Sequence, residues 1–294
     1  MIKPFLPLLI LIAIANQAWC QDFTAYNHYA NNHYIFNPAA VTQNYDLFSY
    51  VITNTKQNSF ENTPKYIGIG GFARLTDESS IGVKFNNYQG GSYNESEFTM
   101  SYGYKFQIVE DHMVALGLSA KGLQRNLNLL DVNVFQTDDP TLESGYYRLS
   151  SISFAFGMQY SFKNFQFHLA LPRIIDVNSV LQGSVISYIE YSYQAVPGKL
   201  SLSPGLLINH LSKGVTWMDV QLRADILEKV SVQAIYRSNQ NMVFLTSYNW
   251  DGIGLGYAYE MSVGPVTNYS DGCHEIQFTY AMSRKKYKKE TITF

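Results

Sequence analysis

The stretch SISFAFGMQYSF, from Ser151 to Phe162, alternates without a break. Ile152, Phe154, Phe156, Met158, Tyr160 and Phe162 fall on one face of an extended chain, and Ser151, Ser153, Ala155, Gly157, Gln159 and Ser161 fall on the other. Successive side chains of a β-strand point to opposite faces, so this is a strand with one wholly apolar side. The split recurs in both directions along the chain. Phe98, Met100, Tyr102, Tyr104 and Phe106 oppose Glu97, Thr99, Ser101, Gly103 and Lys105. Met218, Val220, Leu222, Ala224 and Ile226 oppose Trp217, Asp219, Gln221, Arg223 and Asp225, and Ile253, Leu255, Tyr257, Tyr259 and Met261 oppose Gly254, Gly256, Ala258 and Glu260. A soluble sandwich also alternates, but its outward face carries charge. Here the polar phase is rich in Gly, Ser and Ala and the apolar phase is a ladder of aromatic rings, as in the wall of an outer-membrane barrel.

About 14 such segments run from Tyr45 to Met282, an even number, as bacterial barrels require. The predicted fold is therefore all-β: an antiparallel transmembrane β-barrel of the bacterial outer membrane over residues 45–282. Connection lengths orient it, because periplasmic turns are short and external loops long. Lys163-Asn164, Pro197 to Lys199, Leu227 to Lys229 and Asn249 to Asp251 are tight, whereas Asn128 to Ser150, Arg173 to Gly183 and Met261 to Cys273 are long. Their alternation predicts a multi-pass barrel with both termini periplasmic.

Composition agrees. Charged residues make up 15% of the 294, below the roughly 25% usual in soluble domains, and aromatics also reach 15%, with Tyr the commonest of them. Mean hydropathy is nonetheless near neutral. After the first twenty residues no run approaches the roughly 18 apolar residues of a membrane helix. A net charge of −2 offers no basic field for nucleic acid.

Residues 1–20 read as a secretory signal peptide, with Lys3 ahead of an apolar run and Ala18-Trp19-Cys20 leaving Gln21 as the mature N-terminus. Cys20 raises the alternative of a lipoprotein, against which bulky Trp19 argues. Removal of Cys20 leaves Cys273 as the one thiol, which reads as a packing residue. Residues 21–44, rich in Tyr and Asn and without a clean period, are expected as an N-terminal periplasmic segment outside the barrel. Residues 283–294 are expected as a basic periplasmic tail carrying Arg284, Lys285, Lys286, Lys288 and Lys289, either a solvated charge run or a docking point for an acidic partner.

No catalytic constellation emerges, and no metal or cofactor site. The histidines His28, His33, His112, His168, His210 and His274 lack the spacing of a zinc site. His274 and Glu275 are neighbours on a strand and so point to opposite faces, one to the lumen and one to the wall, stabilising closure of the last strand on the first. Asp219, Arg223 and Asp225 share a polar face, as candidate lumen charges of a pore or as an internal salt-bridge cluster. Asn37-Pro38-Ala39 reads as a turn, or as a latch that seats the N-terminal segment under or inside the barrel.

The two ends of this stretch carry a resemblance. Tyr29, Asn32 and Asn37-Pro38-Ala39 are similar to the N-terminal motif of the PorP/SprF family of type IX secretion outer-membrane proteins, and Gly272-Cys273-His274-Glu275-Ile276 resembles the Gly-Ser-His-Glu-Ile segment of that family's last strand. Between them, Leu171-Pro172, Leu202-Ser203-Pro204, Trp217 to Asp219, Tyr236-Arg237 and Gly256-Tyr257-x-Tyr259 fall in the family's order. His33, Val41-Thr42 and Cys273 depart from its pattern. The resemblance implies a non-enzymatic barrel of the secretion and gliding-motility machinery in Bacteroidota, supporting export or surface attachment of a large adhesin. Its implied partners are outer-membrane lipid, a secreted adhesin or other type IX cargo, and periplasmic secretion or motility components. The rival reading is an outer-membrane channel for small solutes.

Overall fold

The computed structural model describes residues 26–56, 63–128, 146–176, 183–211, 214, 216–264 and 272–283. The chain forms a closed antiparallel barrel of fourteen staves. In order they are β1 (Leu47–Lys56), β2 (Lys65–Arg74), β3 (Ser79–Gly90), β4 (Tyr93–Val109), β5 (His112–Asn128), β6 (Tyr146–Phe162) and β7 (Phe165–Asp176). Stave β8 comprises Ser184–Tyr191 and Tyr193–Val196, interrupted at Ser192, both halves pairing with β9. The circuit continues with β9 (Leu200–Leu211), β10 (Thr216–Ile226), β11 (Val230–Arg237), β12 (Asn241–Trp250), β13 (Ile253–Ser262) and β14 (Cys273–Met282). Each stave pairs with its sequence neighbours, and β14 closes on β1 in a continuous register from Leu47 opposite Met282 to Lys56 opposite Cys273.

Burial is inverted relative to a soluble protein. On β6, Ile152 and Phe154 are exposed while Ser151, Ser153 and Ala155 are buried. Met100 is 58% exposed on β4 and Leu255 56% on β13, whereas inward-facing Arg223 and Thr99 are 0% exposed. Apolar side chains turned outward and polar ones inward fit a wall solvated by hydrocarbon, where pairing every strand with two neighbours also leaves no unsatisfied edge. No helix among the described residues is long and apolar enough to cross a membrane.

The tight connections lie at one end, here the turn end. There Asp251 and Gly252 both adopt positive φ, 49° and 90°, as a two-residue hairpin turn of the type that matches strand twist requires. Both ends of the barrel chain, Leu47 and Met282, also lie there. At the opposite, loop end the connections are not uniformly long. Gly91-Ser92 joins β3 to β4 in two residues, because length has passed into the strands themselves. Staves β4, β5 and β6 each run for 17 residues and stay paired nearly to their tips, so this side of the barrel is a raised ribbon.

One expectation is corrected by the fold. Of residues 21–44, the described part, 26–44, lies inside the barrel and not outside it. Three short 3₁₀ turns, Asn27–Ala30, His33–Ile35 and Pro38–Thr42, fill the middle of the lumen, and Tyr34, Ala39, Ala40 and Val41 are completely buried. A polar-walled cylinder has no oily centre of its own, so the segment supplies one. Tyr34, Val41, Tyr45, Phe48, Tyr50 and Phe72 form one apolar cluster, and Tyr29, Phe36, Ile186, Tyr188 and Leu245 another.

Candidate functional site: the plugged lumen

Short side chains on the wall make room for the plug. A Cβ on Gly117 would strike the backbone of Pro38 and Ala39, and one on Gly157 would strike the side-chain oxygen Oδ1 of Asn37. Glycine is thus required on the inward phase of β5 and β6, where another backbone comes within contact. Asn37 caps the third 3₁₀ turn by accepting from the Ala39 amide at 2.9 Å, while its Nδ2 donates to the Met158 carbonyl at 3.0 Å. Asn37, Pro38 and Ala39 therefore form both a local turn and a contact with the wall. Asn32 is buried between the first two turns, its backbone amide donating to the His28 carbonyl at 2.9 Å.

Polar anchors hold the segment from the opposite wall. Glu275, wholly buried on β14, accepts from the backbone amides of Asn27 and His28 at 2.9 Å each, from His28 Nδ1 at 2.6 Å and from Asn54 Nδ2 at 2.8 Å. Asn54 lies on β1, directly opposite Glu275 across the closing seam. One carboxylate thus ties together the last strand, the first strand and the plug. His274 projects the other way, its Nδ1 2.8 Å from the Tyr257 hydroxyl on the outer surface.

The candidate lumen charges separate into two clusters. Arg223 Nη2 donates to Glu190 at 2.7 Å and Nε to Asp225 at 3.2 Å, while Nη1 reaches the plug at the Ala30 carbonyl, 3.1 Å away. Asp219 pairs instead with Arg237, whose Nε is 3.1 Å from it and whose Nη1 donates to Glu260 at 2.9 Å. Buried charges need such partners, since each ion leaves water at a cost of several kcal/mol. Glu190, Arg237 and Glu260 were not among the expected lumen charges, nor was Lys84, which donates to the Tyr34 and Ile35 carbonyls at 3.0 Å each, and the sequence did not pair His33 with His168, whose tilted rings lie 4.4 Å apart. The signal for Arg237 existed, because Asp219 and Arg237 are directly opposite in register across one hairpin. The basic tail, Arg284 to Lys289, lies outside the described residues, as do residues 1–20.

The plug divides the lumen. On the turn-end side a cavity of about 800 Å³ is bounded by Thr42, Asn44, Lys105, His112, Lys163 and Gln194. On the loop-end side a cavity of about 450 Å³ is bounded by Tyr26, Tyr66, Tyr88, Glu95, Lys121 and Arg125. This arrangement binds a polypeptide segment and holds charge in fixed pairs. Among the described residues no group of three or more His, Cys, Asp or Glu side chains is placed to hold a metal.

Known proteins place the architecture. Among solved structures, the outer membrane protein Omp33 of Acinetobacter baumannii matches with a TM-score of 0.52 at 8% identity, over 81% of this chain and 98% of that one. The deltaS2 mutant of the TodX monoaromatic hydrocarbon channel matches with a TM-score of 0.51 at 10% identity, over 85% and 93%. At such identities the likeness concerns the fold alone. No curated protein matches. The family model described as type IX secretion system membrane protein PorP/SprF matches residues 20–280, nearly the whole chain. This outer-membrane barrel, with its N-terminal segment in its own lumen, belongs to the PorP/SprF family of type IX secretion system membrane proteins.

Proposed function

We propose that the barrel works without catalysis, as a docking component of the type IX machinery that supports export or surface attachment of a large secreted adhesin. In this reading the loop end faces the cell surface, and the turn end, with the basic tail, faces periplasmic secretion or motility components. The supporting observation is the plug: a lumen closed by residues 26–44 and tied at Glu275 favours a barrel that acts through its faces over one that conducts. Short strand connections at one end and the raised β4 to β6 ribbon at the other support the orientation. Affinity capture of the chain from native envelopes tests it. Co-recovery of secretion components together with a very large surface protein is the expected result, and recovery of neither sinks the reading.

The rival, a channel for small solutes, draws support from the two cavities flanking the plug. Planar-bilayer recording separates the two. Docking predicts no steady conductance from the intact chain and steady conductance after deletion of residues 26–44, whereas a channel conducts with its plug in place.

A further inference from the structure

Stave β8 is bare on one side where it nears the turn end. Its ladder with β7 stops at Phe165 opposite Tyr191, and the Ser192 amide then donates to the Asn164 carbonyl at 2.9 Å. From there Tyr193–Val196 runs on past the Lys163-Asn164 turn, paired among the described residues only with β9, from Tyr193 opposite Leu202 to Val196 opposite Leu200. Backbone groups alternate along a strand, so those of Gln194 face the same way as those of Ser192, toward the side that has no strand. Hydrocarbon cannot satisfy such an edge, which places it at the aqueous rim of the barrel. The edge also borders the turn-end cavity of about 800 Å³, whose wall includes Lys163, Asn164, Ser192 and Gln194. Exposed lysines stand on three successive turns here: Lys163 between β6 and β7, Lys199 between β8 and β9, and Lys229 between β10 and β11. The Leu227 amide, donating to the Lys199 carbonyl at 2.8 Å, ties the last two turns together. Among the described residues none of these lysines forms an ion pair; Lys163 lies 5.3 Å over the Phe162 ring, and Glu228 is exposed beside Lys229. Asp77 and Glu78, between β2 and β3, and Glu110 and Asp111, between β4 and β5, make the turns farther round the rim acidic.

We propose that this edge docks an extended, acidic segment of a periplasmic protein, added as a strand beside Tyr193–Val196 with its carboxylates at Lys163 and Lys199. Backbone and charge together choose the occupant. An unpaired edge offers N–H and C=O groups at strand spacing, which an extended backbone matches and a helix or a lipid headgroup does not. Four residues, about 13 Å, are too few to hold a strand on backbone bonds alone, so the flanking charges decide which strand stays. Those charges are positive, whereas the turns with Asp77, Glu78, Glu110 and Asp111 repel an acidic segment, so it is directed to one arc of the rim. Room for its side chains exists in the cavity that Ser192 and Gln194 border. The proposal rests on the docking reading, which sets the turn end in the periplasm.

Photo-cross-linking of the full chain in native envelopes is the test. Benzoylphenylalanine replaces Val196 at the edge or Tyr191, an exposed residue of the same stave with β7 beside it. The expected result is a protein adduct from position 196 and not from 191, mapped by mass spectrometry to an extended segment carrying Asp or Glu. Gln194→Pro, which removes an outward N–H, and the pair Lys163→Glu with Lys199→Glu should each lower its yield about tenfold, while Lys163→Arg with Lys199→Arg keeps it. Adducts to phospholipid alone, no adduct at position 196, equal yields from both positions, or a yield indifferent to these variants overturns the proposal. The lysine variants leave the ladder untouched, so they decide the matter if Gln194→Pro does not give a folded barrel. Co-recovery of secretion components by a chain that gives no adduct at position 196 would leave the docking function standing and remove only this edge, which keeps the two failures distinguishable.

Discussion

Replacing Glu275 with glutamine preserves shape and removes a charge. Its carboxylate receives four hydrogen-bond donors from three residues, with no solvent to replace them: the Asn27 and His28 amides, His28 Nδ1 and Asn54 Nδ2. Glutamine retains one accepting oxygen and turns an NH2 group toward donors in place of the other. Hydrogen bonds to a charged group contribute about 1.5–3 kcal/mol each, and breaking one side of a buried ionic contact costs about 3–5 kcal/mol. With tenfold for every 1.4 kcal/mol, the plug should unseat roughly a hundred to a few thousand times more often. Hydrogen exchange followed by mass spectrometry reads this directly, because amides of residues 27–42 should lose protection by that factor while those of β10 do not. Asn54→Leu is the control, since it removes only bonds across the seam, the one to Glu275 and the one accepted from the Cys273 thiol. Unchanged protection over residues 27–42 in a closed Glu275→Gln barrel would refute the reasoning. So would equal losses from Glu275→Gln and Asn54→Leu, which would make Glu275 a fastener of the seam alone.

Gly157→Ala places a methyl group against the Asn37 side chain, an overpacking cost of about 1–3 kcal/mol, and should raise protease sensitivity in the plug while the barrel stays folded. Arg237→Met strands the Asp219 and Glu260 carboxylates in the lumen and should lower unfolding stability by about 3–5 kcal/mol, measured by denaturant titration in detergent. On the outer face, Leu222→Arg is expected to cost about 2–4 kcal/mol near mid-bilayer, seen as loss of the compact, heat-modifiable band on gels; an unaltered band would contradict a lipid-facing β10.

The wall was legible because its information is local. Period-two alternation needs only a dozen neighbouring residues, and it located even β8, where Ser192 interrupts the ladder without ending the stave. The loop-side start of β6 was drawn at Ser151 instead of Tyr146, because Arg148 and Ser150 fall on the phase that carries Ile152 and Phe154 and break its apolar run. The plug was only partly legible, for the opposite reason: Asn37-Pro38-Ala39 read as a turn or as a latch under or inside the barrel, while residues 21–44 as a whole were placed outside it. Residues 26–44 fold into 3₁₀ turns too brief to show a period, and their partners are as far away in sequence as Glu275 is from Asn27, 248 residues. Glycine in the inward phase at Gly117 and Gly157 was visible, but it recorded only that something small was needed there. What fills the space became evident with Asn37, Pro38 and Ala39 against it. The Asp219, Arg223 and Asp225 face was also only partly readable, because spacing along one strand does not reveal that Arg237 from the next strand takes Asp219 while Arg223 turns to Glu190.

The carboxylate at Glu275 also sets an order of events in time. The segment it holds is made first and the strand that bears it is made last, so through nearly the whole of synthesis and insertion the seat is missing its principal anchor. A partly built sheet can gather residues 26–44 against glycines on β5 and β6 and hold them through Lys84, Met158 and Arg223, but it lacks the tie to Asn27 and His28. That tie arrives only when β14 meets β1, and in that step Asn54, Asn27 and His28 converge on one side chain. Closure of the wall and fastening of the N-terminal segment thus share one side chain, and a chain cut short before its final strand would lack both the closing ladder and the tie to Asn27 and His28.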